Sequence, residues 1–180
     1  NAETVTALIE AGAEVNARDE DGDIPLHAAA QEGNAETVTA LIEAGAEVNA
    51  RDEDGETPLH ATRTAETVAA LAQAGADVNA RDKDGNTPLH KVEARRGNAE
   101  TVAALVKAGA GVEARDKDGN TPLHDAARYG TAETVAALVE AGADIRAKTK
   151  DGKFPADLAE DNDRIKDHDI FWTLEEARYR

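Results

Sequence analysis

The phrase "PLH" places one histidine in each of four successive segments, at His27, His60, His90 and His124. Imidazole ligates metals and carries protons near neutral pH, so a ladder of four would suit a metal array or a proton relay. Stacked helical segments, however, lie roughly 8–10 Å apart. Two rings at that separation cannot share a zinc ion whose nitrogen ligands sit at about 2.1 Å. The histidines are therefore expected to be structural. A second candidate is "DKDGNTPLHKVE", residues 82 to 93, which sets Asp82, Asp84, Asn86 and Glu93 at positions 1, 3, 5 and 12 of a calcium-loop pattern. Such a loop needs glycine at its sixth position for a sharp bend. Here that position is Thr87, and Pro88 follows. The match is coincidental. The chain contains no glycine-rich phosphate loop, nucleophile elbow or isolated carboxylate pair. Its acids fall in turns and on helix faces, where solvation explains them. Neither catalysis nor a cofactor is expected.

The histidines belong to a repeating unit. Aligned on "DG", copies start at Asp19, Asp52, Asp82, Asp116 and Thr149, at spacings of 33, 30, 34 and 33 residues. A period near 33 predicts a solenoid of supersecondary units. In "DKDGNTPLH" the Asp and Gly punctuate a tight turn. Thr121-Pro122 then opens a helix, with Pro in the first turn where its missing N–H costs nothing. This first helix is short and is expected to end on a left-handed glycine cap, the Gly of "EG" or "YG". Asn34, Thr64, Asn98 and Thr131 are N-caps of a second helix, with Glu36, Glu66, Glu100 and Glu133 near its positive dipole end. Val135, Leu138 and Val139 fall at helical spacing. "AGA" stops this helix at Gly45, Gly75, Gly109 or Gly142, and Val48, Val78, Val112 and Ile145 pack the return.

"DGNTPLH" and "AGADVNAR" carry a family resemblance. The chain resembles the ankyrin repeat over nearly its whole length. The resemblance implies an all-α solenoid of stacked helix-turn-helix units with β-hairpin-like fingers, and imidazoles that bridge backbone groups of their own and neighbouring turns. It also implies a concave side, formed by fingers and first helices, that docks a protein. The expected division is an N-terminal half repeat at 1–18, repeats at 19–51, 52–81, 82–115 and 116–148, and a C-terminal cap at 149–180. In the cap Asp157 replaces the histidine, and Phe154, Phe171, Trp172 and Tyr179 are expected to close the core.

Composition narrows the partners. Alanine and glycine are abundant and aromatic residues scarce, which suits close packing of short helices. Absence of cysteine excludes disulfide frameworks and thiol chemistry. No apolar run reaches the roughly 18 residues of a membrane span. No basic-then-apolar signal segment opens the chain, which favours a soluble, cytoplasmic protein. Opening on Asn1 rather than Met suggests a processed or truncated start. With 37 acids against 20 bases, a net charge of −17 argues against nucleic acid as a partner. The charge is uneven. Residues 19–51 carry eight acids and one base, whereas residues 82–115 carry five acids and six bases.

Framework positions hold a repeat stack, and variable ones face partners. The variable positions nominate Arg63, Lys83, Asn86, Lys91, Arg95, Arg96, Lys117, Asn120, Arg128 and Tyr129 as a protein-binding set, favouring a partner with an acidic or phosphate-bearing contact. Tyr and Arg are enriched at interface hot spots; a merely solvated surface is the alternative. Residues 1–22 and 34–55 are the same string, so a scaffold without a native ligand, recently duplicated or engineered, is a second reading. A monomer is expected, with end-to-end contacts through the uncovered Val5, Leu8 and Ile9. Finally, "HATRTAETV" lacks three residues found in the sister copies, and "KVEARRG" has one extra. The pair of indels reads either as a hinge and one wall of the binding site or as tolerance in an exposed turn.

Overall fold

A computed structural model describes residues 1–92 and 98–179, with side chains as far as residue 176. Among the described residues it contains ten α-helices and one 3-10 turn, and no strand. After α1 (Ala2–Glu10), helices alternate short and long roles: α2 (Pro25–Glu32) with α3 (Ala35–Glu43), the 3-10 turn Pro58–Ala61 with α4 (Ala65–Gln73), α5 (Pro88–Lys91) with α6 (Ala99–Lys107), and α7 (Pro122–Tyr129) with α8 (Ala132–Glu140). The last pair is α9 (Pro155–Ala159) and α10 (Asp169–Tyr179). First helices stack on first helices, and α1, α3, α4, α6 and α8 stack in sequence order.

Local chemistry sets each boundary. Every described first helix opens on proline, where the absent N–H is one of the unpaired donors anyway. The second helices begin where the side chains of Asn34, Thr64, Asn98 and Thr131 accept the N–H of the residue three positions on. They end in a 6→1 bond, Ala46 N–H to the Leu41 carbonyl at 2.9 Å, with Gly45 at φ 91°. A Cβ on Gly45 would meet nothing within 4 Å, so backbone conformation alone demands glycine there. Gly55 answers a second demand as well. It lies at φ 78°, and a Cβ would stand 3.3 Å from the Lys83 nitrogen of the next finger.

The core is a column through the stack. Leu26, Leu59, Leu89 and Leu123 of the first helices meet Val38, Val68, Val102 and Val135 of the second, all buried. Each such side chain contributes about 1.5–3 kcal/mol by leaving water. The first helix of the short copy is reduced to a single turn. Its broken carbonyls find other donors: Thr62 Oγ1 reaches Leu59 O at 2.9 Å, and Thr101 Oγ1 reaches Arg63 O at 2.8 Å.

Two expectations about the fold change. Gly33 is a left-handed cap at φ 73°, but Gly130 is extended at φ −86° and ψ −167°. Asn162 Nδ2 donates to the carbonyls of Ala127 and Gly130, satisfying the end of α7 without that conformation. Ala72 stands where the sister copies carry Ile42, Val106 and Val139, and those three are only half-buried, so its truncation removes less packing than a core site would. Closure of the C-terminal end falls to Ile165 and Leu174, both fully buried, while Trp172 is 65% exposed. Phe154 and Phe171 are half-buried, and the side chain of Tyr179 lies outside the described residues, as does the helix end in "KVEARRG".

Candidate functional site

The four "PLH" imidazoles are committed to the backbone. Nδ1 of His27, His60, His90 and His124 accepts the N–H of Ile24, Thr57, Thr87 and Thr121 at 3.0–3.2 Å. Because Nδ1 accepts, the proton sits on Nε2, which donates to the carbonyls of Glu56, Asn86, Asn120 and Lys153 in the next finger at 3.2–3.3 Å. Each ring thus joins two repeats with both nitrogens in use. Burial lowers the pKa of His60 and His124, and pushes His90 down to about 4. His60, His90 and His124 are therefore neutral cross-links.

A parallel ladder of arginines joins the fingers. Arg18, Arg51, Arg81 and Arg115 each donate to the glycine carbonyl of their own finger and to the carbonyl of the corresponding residue one repeat on, the latter at 2.6–2.7 Å. At the C-terminal end Asp157 stands in for histidine. Its carboxylate accepts Phe154 N–H at 2.6 Å, as an Nδ1 would, but has no donor with which to reach a further finger.

On the face made by fingers and first helices, the nominated residues divide. Lys91 Nζ lies 2.8 Å from Glu56 Oε1 and 2.9 Å from Asp82 Oδ2, bridging two repeats. Burial alone would lower the Lys91 pKa, but the bonds to Glu56 and Asp82 outweigh it and raise it. Desolvation likewise presses the Asp82 carboxyl upward, and hydrogen bonds from Asn86 and Lys91 overcome this and hold it below the usual range. The lysine side chain therefore turns inward, where sequence reasoning expected an outward basic residue. Asn86 Nδ2 and Asn120 Nδ2 donate to Asp82 and Asp116 at 3.0 and 2.8 Å, so both amides brace their own fingers. Asp82 also accepts the N–H groups of Asp84 and Asn86, which explains the calcium-like spacing as a turn brace. Arg63 is half-buried, and its Nε lacks a hydrogen-bond partner. Lys83, Lys117 and Arg128 are exposed. Tyr129 is 60% exposed with the Arg128 guanidinium 5.6 Å from its ring centroid. Arg95, Arg96 and Glu93 lie outside the described residues.

Sequence reasoning missed Asp125. It is half-buried beside Asp116, Arg128 and Lys91, and desolvation, then the charge of Asp116, pushes its carboxyl up to about 7. Only its place directly after His124, matching Lys91 after His90, could have flagged it.

The geometry described above has a counterpart in known families: the model for ankyrin repeats in three copies matches residues 1–82 and again 61–149. The chain belongs to the ankyrin-repeat family. No curated protein matches it. Ankyrin repeats are generally protein–protein interaction modules, and are typically non-enzymatic. The imidazole and arginine ladders join each unit of this ankyrin stack to the next. No described helix is long and apolar enough to cross a membrane.

Proposed function

We propose that this ankyrin protein is a non-catalytic docking module that binds a protein partner on the finger and first-helix face of residues 82–129, with the chain divided into repeats at 19, 52, 82, 116 and 149. The observation that supports this reading is the exposed Tyr129 under the Arg128 guanidinium, together with Lys83 and Lys117 exposed on the fingers of the same two repeats. An aromatic anchor with a stacked arginine gives large contact area at low entropic cost. Lys83 and Lys117 favour a partner with an acidic or phosphate-bearing contact, steered at low salt. Lys91, Asn86 and Asn120 act as supports beneath that contact set rather than as members of it. Arg63, Arg95 and Arg96 are assigned to it on charge alone.

A scaffold without a native ligand is the second reading, favoured by the identity of residues 1–22 and 34–55. One experiment separates the two. A photo-crosslinking amino acid at position 129, compared with one at the exposed Ala69 of α4, is activated in cell extract. A docking module gives discrete adducts from position 129 alone, and these disappear on Lys83→Glu with Lys117→Glu. Equal, diffuse labelling from both positions would leave the scaffold reading.

A further inference from the structure

The residue that follows each "PLH" histidine differs from copy to copy: Ala28, Ala61, Lys91 and Asp125. In the third copy Lys91 Nζ is held by Asp82 of its own finger at 2.9 Å and by Glu56 of the preceding finger at 2.8 Å. The corresponding positions one copy on are Asp125, Asp116 and Asn86. An acid thus stands where the cation stood, with a second acid in the place of one of its partners. The nearby donors are already committed. Asp116 takes the N–H groups of Asp118 and Asn120 and the Asn120 amide, and the Asn86 amide goes to Asp82. Among the described residues no hydrogen bond reaches the half-buried Asp125 carboxyl.

The charges that act on this carboxyl are Asp116 of the finger, Arg128 one turn further along α7, and Lys91 of α5. Helices α8 and α9, which also pack on α7, add none. Neither cation pairs with it. Lys91 is shared by Glu56 and Asp82, and the Arg128 guanidinium lies 5.6 Å from the Tyr129 ring centroid. Burial, then Asp116, therefore leave the carboxyl titrating at about 7, against the pull of Arg128 and Lys91. Asp125 also precedes Arg128 and Tyr129 by three and four residues in α7, a spacing that puts all three on one side of the helix.

We infer that Asp125 is the charge gate of the docking face, and that an acidic contact seated on Arg128 and Tyr129 takes up a proton at the Asp125 carboxyl. The inference rests on the docking reading above. An ionised Asp125 repels such a contact and draws on the same Arg128 charge. The arriving anion offsets the pull of the guanidinium on Asp125 and adds a negative charge of its own, so the complex holds the proton more tightly than the free chain does. The protonated carboxyl is neutral and has an O–H to donate. Affinity is therefore greatest below pH 7 and declines as pH rises through the titration point of the free chain toward that of the complex. A basic contact, placed as Lys91 is, has the opposite sign. It displaces the proton, and its affinity increases with pH.

The test titrates the full chain at low salt with a penta-glutamate peptide, blocked at both ends, whose carboxylates are ionised at both pH 6 and pH 8. Binding is followed by NMR at Arg128 and Tyr129. Docking is expected to move the titration point of Asp125 from about 7 to about 8, which makes binding about fivefold tighter at pH 6 than at pH 8. Asp125→Asn is expected to bind the peptide equally at the two pH values. Equal binding by the parent chain at both, or tighter binding at pH 8, overturns the inference, as does a pH dependence that survives Asp125→Asn. The docking reading fails by a different result. No binding at either pH, or binding indifferent to Lys83→Glu with Lys117→Glu, removes that reading and the inference with it.

Discussion

The pH behaviour of the ladder is set by single side chains with opposite signs. His90 has a folded pKa of about 4 against an ordinary 6.5, so its neutral form is favoured by folding. Its contribution is complete above about pH 6.5 and is lost as pH falls toward 4, amounting to about 3 kcal/mol. Replacing His90 with Asn is expected to flatten the slope of urea stability between pH 6.5 and 4.5 by about one proton. A slope identical to that of the parent chain would count against it. Asp125 runs the other way. Its carboxyl titrates near 7 rather than 3.8, so the folded state binds the extra proton and stability falls as pH rises between those values. Asp125→Asn should stabilise the chain by roughly 1–2 kcal/mol at pH 8, allowing for solvent screening, and by nothing at pH 4. Lys91 is the third case. Removing it takes away the cation that the two buried carboxylates Asp82 and Glu56 share, and Lys91→Ala is expected to cost about 3 kcal/mol in chemical denaturation. Loss of partner binding without loss of stability would place Lys91 at the interface instead.

At the scale of the element, the short copy is the informative one. Its first helix is the 3-10 turn Pro58–Ala61 where α2 and α7 each run eight residues, so close to one helical turn of backbone pairing is absent. Thr62 within the copy, and Thr101 and the Glu56–Lys91–Asp82 bridge across its interface with the following repeat, offset part of this deficit. Stability in a repeat stack is approximately a sum over units and interfaces, so this copy is expected to be the weakest internal unit. Inserting "AQE" between Ala61 and Thr62, to restore the sister length, should raise the denaturation midpoint. If the notch is also a wall of the binding site, partner crosslinking from position 129 should weaken in the same variant. Unchanged crosslinking would mark the deletion as tolerance in a turn.

For the whole molecule, the two ends are unequal. The C-terminal end is closed by Ile165 and Leu174 and by an aspartate that ends the histidine ladder. The N-terminal end leaves α1 without a buried residue. Amide exchange outside the last residues is therefore expected to be fastest in residues 2–18 and slowest around Val102, Leu105, Val135 and Leu138. Protection in α1 equal to that in α4 would contradict this. Charge is polarised along the same axis. The first two fingers read "DEDGD" and "DEDGE", and the later three "DKDGN", "DKDGN" and "TKDGK". The proposed partner, with its acidic contact, is accordingly expected to be steered toward the far fingers.

Much of this was legible in the linear chain because it depends on contacts within a few residues. The proline starts, the Asn and Thr caps and the left-handed glycines follow from neighbours three to six positions away, and the period multiplies them into a stack. The histidines were legible too, since their Nδ1 bonds are local and the period implies that Nε2 meets the same atom in each next copy. Tertiary structure decided what depends on burial and on partners beyond the local turn, several of them more than 30 residues away. Lys91 turns inward because Glu56, in the preceding repeat, offers a second carboxylate. Gly130 escapes the left-handed conformation because Asn162 arrives to satisfy its carbonyl and that of Ala127. Asp125 acquires its displaced pKa from burial beside Asp116, and Trp172 yields core closure to Ile165 and Leu174. In each case residue type left several partners open, and packing between repeats chose among them through desolvation and the geometry of hydrogen bonds.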